Sequence, residues 1–207
     1  MRRSIASARL KSMNRDLMRK NLAQATVGIA GLGGLGSTCA VALARAGVGR
    51  LILADYDRIE ASNLDRQYYF QAQLGAFKTE ALAQTIRAID PSLGLELHTV
   101  LLGSRTIPSV FNGATVIVEA LDQAESKILL IETCLRVFPS THIVAASGIA
   151  GIGCFEKIKV LHRGRLHICG DLESEAGPDL PPVAPRVGIV ANLQADTVLE
   201  LLLESQR

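Results

Sequence analysis

Tryptophan is absent from this chain of 207 residues, and aromatic residues make up only 4% of it. So few aromatic rings leave little surface for stacking on single-stranded nucleic acid. The 22 basic and 20 acidic residues nearly balance, so the chain lacks the positive charge that is typical of proteins that bind nucleic acids or anionic membranes. We therefore expect no nucleic-acid partner and no association with a membrane.

Long apolar runs and paired cysteines are also missing: no apolar stretch reaches the roughly 20 residues of a membrane-spanning helix, and no secretory segment is recognised. Thiols without a disulfide framework indicate a reducing, cytoplasmic location. The four cysteines include no CxxC pair; they are Cys39, Cys134, Cys154 and Cys169. Two of these cysteines and two histidines could in number supply the four ligands of a zinc ion. Their spacing matches no familiar zinc site, so zinc is not expected. This set is Cys154, His162, His167 and Cys169.

The first twenty residues contain many basic residues and a single acidic one, Asp16, so they depart from the overall charge balance. An arginine- and serine-rich start also occurs in organelle transit peptides, and a mobile basic tail is a further alternative. We expect instead a basic helical segment over residues 1–25, packed at a dimer interface.

The run GLGGLG, residues 31–36, is the most informative motif of the chain. It follows a short apolar stretch, Thr26–Ala30, that has the character of a buried parallel strand. A helix is predicted after it over residues 37–46, ended by Gly47. Its glycines permit a tight turn, a close approach of backbone to phosphate, and packing of helix on strand. The glycines predicted to line the nucleotide are Gly31, Gly33, Gly34 and Gly36.

A second apolar strand, over residues 51–54, ends at Asp55. This is close to the spacing expected of a carboxylate that accepts hydrogen bonds from ribose hydroxyls. Up to this point an NAD-dependent enzyme explains the pattern equally well, and a tight turn without any ligand stays an alternative.

Charged and amide side chains after successive strands favour ATP over NAD. Phosphoryl chemistry needs cations and a magnesium ligand, since negative charge moves as pyrophosphate leaves. Parallel strands present their carboxyl ends at one edge of a sheet, where ligands bind. Taken singly, each side chain has another explanation, as a solvated surface charge or as a helix cap. Together they predict a Mg-ATP site; they are Asn63, Arg66, Gln67, Lys78 and Asp122.

The remaining pattern predicts one α/β domain over residues 1–207, with a Rossmann-like, doubly wound, mostly parallel sheet and added antiparallel strands near the C-terminus. We expect a strand over residues 95–102, a well-buried helix over 125–138 and a core strand over His142–Ala146. A hairpin is predicted around residues 162–165, and a last helix over 187–204. The proline-rich loop 178–185 is either a cover for a partner's tail or a surface connector.

The motifs GLGGLG, Asp55-Tyr56-Asp57 and SNLDRQ (residues 62–67), with Lys78 and the Asp122 loop, resemble the ThiF/MoeB/HesA family, the bacterial relatives of ubiquitin-activating enzymes. The segments AASGIAGIG, ICGD and APRVGI are most similar to a short, divergent ThiF clade. The resemblance implies an adenylyltransferase that uses Mg-ATP to activate the C-terminal glycine of a ubiquitin-like sulfur carrier, ThiS-like, with release of pyrophosphate. It also implies a homodimer.

The resemblance also implies roles for individual residues. Asp55 would hold the ribose, with Asp57 beside it in the same turn. The phosphates would be bound by the group Asn63, Arg66, Gln67 and Lys78. Asp122 would organise magnesium, and Arg15 would reach from one subunit into the site of the other.

Departures from the family pattern concern zinc and sulfur. Many members carry two CxxC pairs that bind structural zinc, and this chain has none. The thiamine enzyme of the family has a cysteine shortly before a Gly-Val-Met-Ala-Pro segment, whereas this chain has Gly177 near that position and keeps only Val183-Ala184-Pro185. Lys127 stands where the family has an arginine. Covalent sulfur transfer by this chain is therefore in doubt, and a separate sulfur-donor protein is a further candidate partner.

Three other functions stay open at this point. Activation of a MoaD-type carrier in molybdopterin synthesis would use the same site. An NAD(P)-dependent oxidoreductase would explain the glycines and Asp55 but not Arg66 and Lys78 together. A non-catalytic nucleotide-binding scaffold would keep the fold and bind only a partner.

Overall fold

The computed structural model describes residues 13–204. Its strands are β1 (Thr26–Ala30), β2 (Arg50–Ala54), β3 (Gly94–His98), β4 (Val116–Glu119), β5 (His142–Ala146), β6 (Lys159–Arg163) and β7 (Leu166–Gly170). Its α-helices are α1 (Arg15–Leu22), α2 (Gly34–Ala46), α3 (Lys78–Ile89), α4 (Ile107–Val110), α5 (Ala124–Val137) and α6 (Ala184–Glu204). Short 3₁₀ turns lie at Ala61–Asn63, Gln71–Gln73 and Phe155–Lys157.

The seven strands form one sheet in the order β3-β2-β1-β4-β5-β7-β6. Every neighbouring pair is parallel except β6 and β7, which are antiparallel and joined by a tight turn. The strand order reverses between β1 and β4, which is where ligands bind in doubly wound sheets. The predicted Rossmann-like sheet and its antiparallel addition near the C-terminus are confirmed.

Helices cover both faces of the sheet. On one face α2, α3 and α6 pack against β1, β2, β4 and β5, and on the other face α4 and α5 pack against the same strands. The alternation of side chains along each strand explains this division. Gly28 interrupts the apolar side chains of β1 on the second face, because a Cβ atom there would meet the ring of buried Phe111.

Helix α5 corrects one prediction. Its apolar sequence predicted a well-buried helix, but the structure buries only Leu130, Thr133 and Cys134 and leaves Ile128 57% exposed. Apolar residues lie around this helix, yet the sheet and α4 contact one side of it. The described chain supplies no second layer to cover the other side.

The ends of several elements also differ from prediction. Strand β3 stops at His98, where residues 95–102 were expected to be extended. Helices α2 and α6 each begin three residues earlier than predicted, at Gly34 and Ala184. Strand β6 of the predicted hairpin begins at Lys159, after a 3₁₀ turn over Phe155–Lys157.

Part of the basic N-terminal segment is described. Helix α1 starts after Asn14, whose side-chain oxygen accepts a hydrogen bond from the Leu17 N–H at 2.8 Å, and it packs against α6. Residues 1–12 lie outside the described part of the chain, so the dimer interface predicted for residues 1–25 stays a prediction. Within residues 13–204, no helix combines the length and apolar character required to cross a bilayer.

Candidate nucleotide site

The glycine loop joins β1 to α2 in a conformation that requires glycine. Gly31 has a φ of +85°, and a Cβ atom there would lie 2.6 Å from the carbonyl oxygen of Ala120. A Cβ atom on Gly36 would overlap the carbonyl oxygen of Gly31. Helix α2 begins at Gly34 without a side-chain cap. Its first N–H groups are therefore available to an anion, as at other phosphate-binding helix starts.

Asp55, at the end of β2, ties the neighbouring turn to this loop. One carboxylate oxygen accepts the Leu32 N–H at 2.6 Å and the other accepts the Asp57 N–H at 2.7 Å. Burial raises the pKa of Asp55, while the two N–H donors and the nearby Lys78 ammonium oppose this rise. Each carboxylate oxygen retains a further lone pair that can accept a ribose hydroxyl.

Lys78 lies buried at the start of α3, and its ammonium is 2.7 Å from a carboxylate oxygen of Asp57. Beside it, the buried Tyr69 hydroxyl donates to the carbonyl oxygen of Leu32 at 2.8 Å. Tyr69 was not predicted from the sequence. The only signal that could have identified it as a site residue was its position two residues after SNLDRQ. The loop, the β2 turn and the start of α3 are thus joined by direct bonds.

The segment of residues 62–67 lies against the glycine loop. The Cγ atom of Arg66 is 3.6 Å from the position of a Cβ atom on Gly34, and Nε2 of Gln67 is 3.8 Å from that of Gly33. The Oε1 atom of Gln67 is buried and has no hydrogen-bond partner among the described residues. Buried polar atoms are nearly always paired, so this unpaired oxygen beside the loop indicates that a ligand or water completes the site.

Asn63 and Arg66 bind their own segment. The Asn63 side-chain oxygen accepts the Glu60 N–H at 3.1 Å. The Arg66 guanidinium contacts the Ser62 carbonyl oxygen at 3.1 Å and the Asp65 carboxylate at 2.7 Å. Arg66 must leave these exposed partners to bind a phosphate, which costs little because exposed ion pairs are weak.

Asp122 lies on the loop between β4 and α5, and the preceding Leu121 side chain comes within 3.1 Å of a Cβ position on Gly31. Its exposed carboxylate fits a magnesium ion, which favours hard oxygen ligands and usually takes one or two carboxylates together with water and phosphate oxygens. No group of three or more His, Cys, Asp or Glu side chains in residues 13–204 is arranged to hold a metal ion. A magnesium ion here would therefore depend on the nucleotide for further ligands.

Arg15 is not brought to this site within one chain. It is exposed on α1, and Arg19, one turn later, lies beside Gly47. Gly47 caps the C-terminal end of α2, whereas the glycine loop lies at the N-terminal end of the same helix. A role for Arg15 in a partner copy stays a prediction.

A buried ion pair between Asp171 and Arg186 holds together the loops beside the start of α6, which we call the C-terminal wall of the site. The Arg186 guanidinium contacts the Asp171 carboxylate and the carbonyl oxygen of Gly153. Burial raises the pKa of Asp171, but the N–H groups of Ser174 and Glu173, the Ser174 hydroxyl and Arg186 lower it to about 2. Sequence reasoning missed this pair, since no motif links residues at the ends of a loop.

The next residue after Arg186 connects this wall to the glycine loop. A methyl group of Val187 lies 2.9 Å from a Cβ position on Gly34. Three exposed apolar side chains occupy the adjoining loops 149–155 and 177–183, and we call them the loop apolar surface. They are Ile152, Phe155 and Leu180. The two loops meet where the Gly151 N–H donates to the Pro181 carbonyl oxygen at 3.1 Å.

The cysteine and histidine side chains weighed for zinc differ in burial and in bonding partners. Cys154 is exposed, whereas Cys169 is buried, with its sulfur 3.7 Å from the Thr197 hydroxyl. Burial raises the pKa of Cys169 to about 11, the Thr197 hydroxyl opposing part of the rise. His162 and His167 bond to one another through ring nitrogens 2.7 Å apart.

Curated relatives match parts of the chain. Ubiquitin-like modifier-activating enzyme 5 of Drosophila willistoni is 32% identical over 138 residues, which are 67% of this chain and 34% of that protein. Adenylyltransferase and sulfurtransferase MOCS3 of Caenorhabditis briggsae is 30% identical over 193 residues, 88% of this chain and 47% of that protein. The chain spans about a third to a half of the length of these relatives.

Solved structures of other proteins share the fold. The E. coli tRNA N6-threonylcarbamoyladenosine dehydratase TcdA, in complex with ATP, superposes with a TM-score of 0.82 at 20% identity and covers 91% of this chain and 89% of its own. E. coli MccB with ATP gives a TM-score of 0.70 at 22% identity, over 90% of this chain and 58% of its own. The pattern of the ThiF family matches residues 6–207. With the doubly wound sheet and its glycine loop, this match establishes that the chain belongs to the ThiF family.

Proposed function

We propose that this protein is an ATP-dependent adenylyltransferase that activates the C-terminal glycine carboxylate of a ubiquitin-like carrier, ThiS-like, as an acyl-adenylate. The observation that carries the proposal is the convergence of Asp55, buried Lys78 and the unpaired Gln67 oxygen on a glycine loop with an uncapped helix start. The names of the relatives, a modifier-activating enzyme and an adenylyltransferase, agree with it.

The reaction needs positioning more than proton transfer. An oxygen of the carrier's carboxylate forms a bond to the α-phosphorus of ATP, while the bond from that phosphorus to the bridging oxygen breaks. The electron pair leaves with pyrophosphate. Since the carboxylate is already ionised at neutral pH, no general base is required, and the protein has to align the groups and neutralise the leaving charge.

Different residues of the described chain would align the reacting groups and neutralise the leaving charge. Asp55 would accept the ribose hydroxyls, and Gln67 and the N–H groups at the start of α2 would contact the phosphates. The Lys78 ammonium would contact the phosphates as well as Asp57. The Arg66 guanidinium would leave Asp65 and also contact the phosphates. Magnesium, held by Asp122 and the nucleotide, would supply further positive charge to the leaving pyrophosphate.

The loop apolar surface would receive the carrier. Ile152 is 85% exposed and Phe155 71% exposed, both in loop 149–155. Exposed apolar patches commonly mark binding sites. Because Val187 joins the neighbouring wall to Gly34, a carrier bound there could reach the α-phosphate with its extended tail.

Isotope exchange between pyrophosphate and ATP tests the activity. We expect exchange only when a carrier is present, with a ThiS-like carrier more effective than a MoaD-like one, and an AMP adduct on the carrier by mass spectrometry. The same assay with total tRNA in place of the carrier tests a tRNA substrate, because TcdA acts on a modified tRNA nucleoside. Tight binding of NAD(H) with no binding of ATP would instead favour the oxidoreductase.

Asp122→Ala tests the site. We expect this exposed substitution to leave the fold intact and to lower carrier-dependent exchange about a hundredfold, as the loss of one electrostatic contact in a transition state commonly does. Asp196→Ala, which removes an exposed carboxylate from α6, is the matched control. Exchange at the wild-type rate in Asp122→Ala would remove Asp122 from the mechanism.

A further inference from the structure

Glu119, the last residue of β4, is a fully buried carboxylate at the edge of the sheet where the nucleotide site lies. Both of its oxygens lie 2.9 Å from the ammonium of Lys127, and one of them also accepts the Leu121 N–H at 2.8 Å. Burying a charge is costly unless it is paired and hydrogen-bonded. Glu119 has both kinds of partner.

Lys127 reaches this carboxylate from the first turn of α5. Its ammonium also lies 3.4 Å from the carbonyl oxygen of Ala146, at the end of β5. The pair therefore joins three elements: the end of β4, the start of α5 and the end of β5. The loop of residues 120–123 is closed between the two members of the pair.

Asp122 lies within that closed loop. Its exposed carboxylate makes no hydrogen bond or ion pair with other residues in the described part of the chain. No residue among 13–204 fixes this carboxylate directly, so the backbone of the loop sets its direction. That backbone is held at Leu121 by Glu119 and at the start of α5 by Lys127.

We propose that Glu119 and Lys127 act as a pair of positioning residues that aim Asp122 at the magnesium and pyrophosphate side of the site, an inference that rests on the proposed function. The Lys127 ammonium is paired with the Glu119 carboxylate. Lys127 is thus a support of the metal-binding loop and does not bind phosphate. This separates it from Lys78 and Arg66, whose partners, Asp57 and Asp65, are more exposed.

A double-mutant cycle tests the pair with Glu119→Gln, Lys127→Met and the combined variant. The first measurement is the Mg²⁺ concentration for half-maximal exchange at saturating ATP. The second needs no turnover: binding of Mn²⁺, followed by electron paramagnetic resonance, to the protein with a non-hydrolysable ATP analogue. We expect each single substitution to weaken both metal responses about tenfold, and the double variant to be no worse than the worse single variant.

Lys127→Arg and Lys159→Met complete the design. Arginine keeps the charge and can pair with Glu119, so we expect a metal response within about threefold of wild type; it also keeps the test open if Glu119→Gln does not fold. Lys159 is exposed on β6, and its substitution controls for the loss of one positive charge.

Two results would overturn the inference. One is a double variant whose loss equals the product of the two single losses, since the residues would then act independently. The other is a Lys127→Met protein with a raised KM for ATP and an unchanged metal response, as expected of a phosphate ligand. Absence of carrier-dependent exchange in the wild type would defeat the proposed function alone, because the Mn²⁺ measurement still tests the pair.

Discussion

The two halves of the site are held together by different interactions. Around the glycine loop, side chains bind backbone atoms: Asp55 accepts the Leu32 N–H, and Tyr69 donates to the Leu32 carbonyl oxygen. In the C-terminal half, loops 149–155 and 171–183 are held by the buried ion pair of Asp171 and Arg186. The nucleotide half is held by several separate bonds, including a Lys78–Asp57 pair whose carboxylate is half-exposed, whereas the C-terminal half depends strongly on one ion pair that is buried on both sides.

The difference predicts unequal sensitivity to substitution. A typical hydrogen bond adds about 1 kcal/mol to the free energy of unfolding, whereas removal of one member of a buried ion pair costs about 3–5 kcal/mol, because the other charge stays buried without compensation. We therefore expect the nucleotide half to lose function gradually and the C-terminal half to lose its structure abruptly.

Asp171→Asn should have the largest effect. We expect the free energy of unfolding at pH 7 to fall by about 3–5 kcal/mol, since Arg186 loses its charged partner. Because the folded-state pKa of Asp171 is lowered to about 2, this stabilisation is present above the ordinary carboxyl pKa of about 3.9. It is lost as the pH falls through about 2. Urea unfolding across this pH range measures the difference.

The control for this prediction is Asp179→Asn, in the same loop but exposed. We expect it to unfold like the wild type at every pH. The free energies of unfolding of Asp171→Asn and wild type could instead differ by a constant amount down to pH of about 2. That result would show that ionisation of Asp171 is not the source of the stability.

Gly36→Ala should disturb the nucleotide half next. The added Cβ atom would overlap the carbonyl oxygen of Gly31, so the glycine loop must shift, at a cost of about 1–3 kcal/mol. We expect ATP affinity, measured by calorimetry, to fall by tenfold or more. Gly103→Ala is the control, because a Cβ atom there meets nothing within 4 Å; equal losses in the two variants would contradict the steric explanation.

Tyr69→Phe removes one hydroxyl from the same half. The Leu32 carbonyl oxygen loses its donor, and we expect a loss of about 1 kcal/mol in stability. The KM for ATP should rise several-fold with kcat little changed, since the hydroxyl positions the loop without touching the reacting atoms. Tyr56→Phe, at an exposed tyrosine, is the matched control. A fall in kcat with constant KM would argue for a different role.

Phe155→Ser should change stability least, within about 0.5 kcal/mol, because the ring is largely exposed. It should nevertheless raise the KM for the carrier while leaving the affinity for ATP unchanged. Ile189→Ser, at a half-exposed position on α6, serves as the control outside the loop apolar surface. If the carrier KM does not respond to Phe155→Ser, the carrier binds elsewhere.

The nucleotide half could largely be predicted from sequence because its signals are local. The apolar stretch before GLGGLG predicted β1 with its observed bounds, and the spacing to Asp55 placed that carboxylate at the end of β2. In these cases a backbone turn and its glycine or carboxylate lie within a few residues of one another.

The C-terminal half and the ion pairs could not be predicted in the same way. Glu119 and Lys127 are separated by a loop and a helical turn, and Asp171 and Arg186 by a proline-rich loop, so only the folded chain reveals the pairing. The exposure of Ile128 on α5 was missed for a related reason. Apolar composition tells which side chains favour burial, but it does not tell whether another layer covers them.

Gln194, buried in the middle of α6, has a consequence for local opening of the sheet. Its side-chain amide nitrogen donates to the carbonyl oxygens of Glu119 and Val144, at 3.0 and 3.1 Å. These two carbonyls lie on adjacent strands just where the β4–β5 ladder ends. One side chain therefore bonds this end of both strands to α6, and we expect the amide hydrogens at this end of β4 and β5 to be protected from exchange with solvent until α6 detaches.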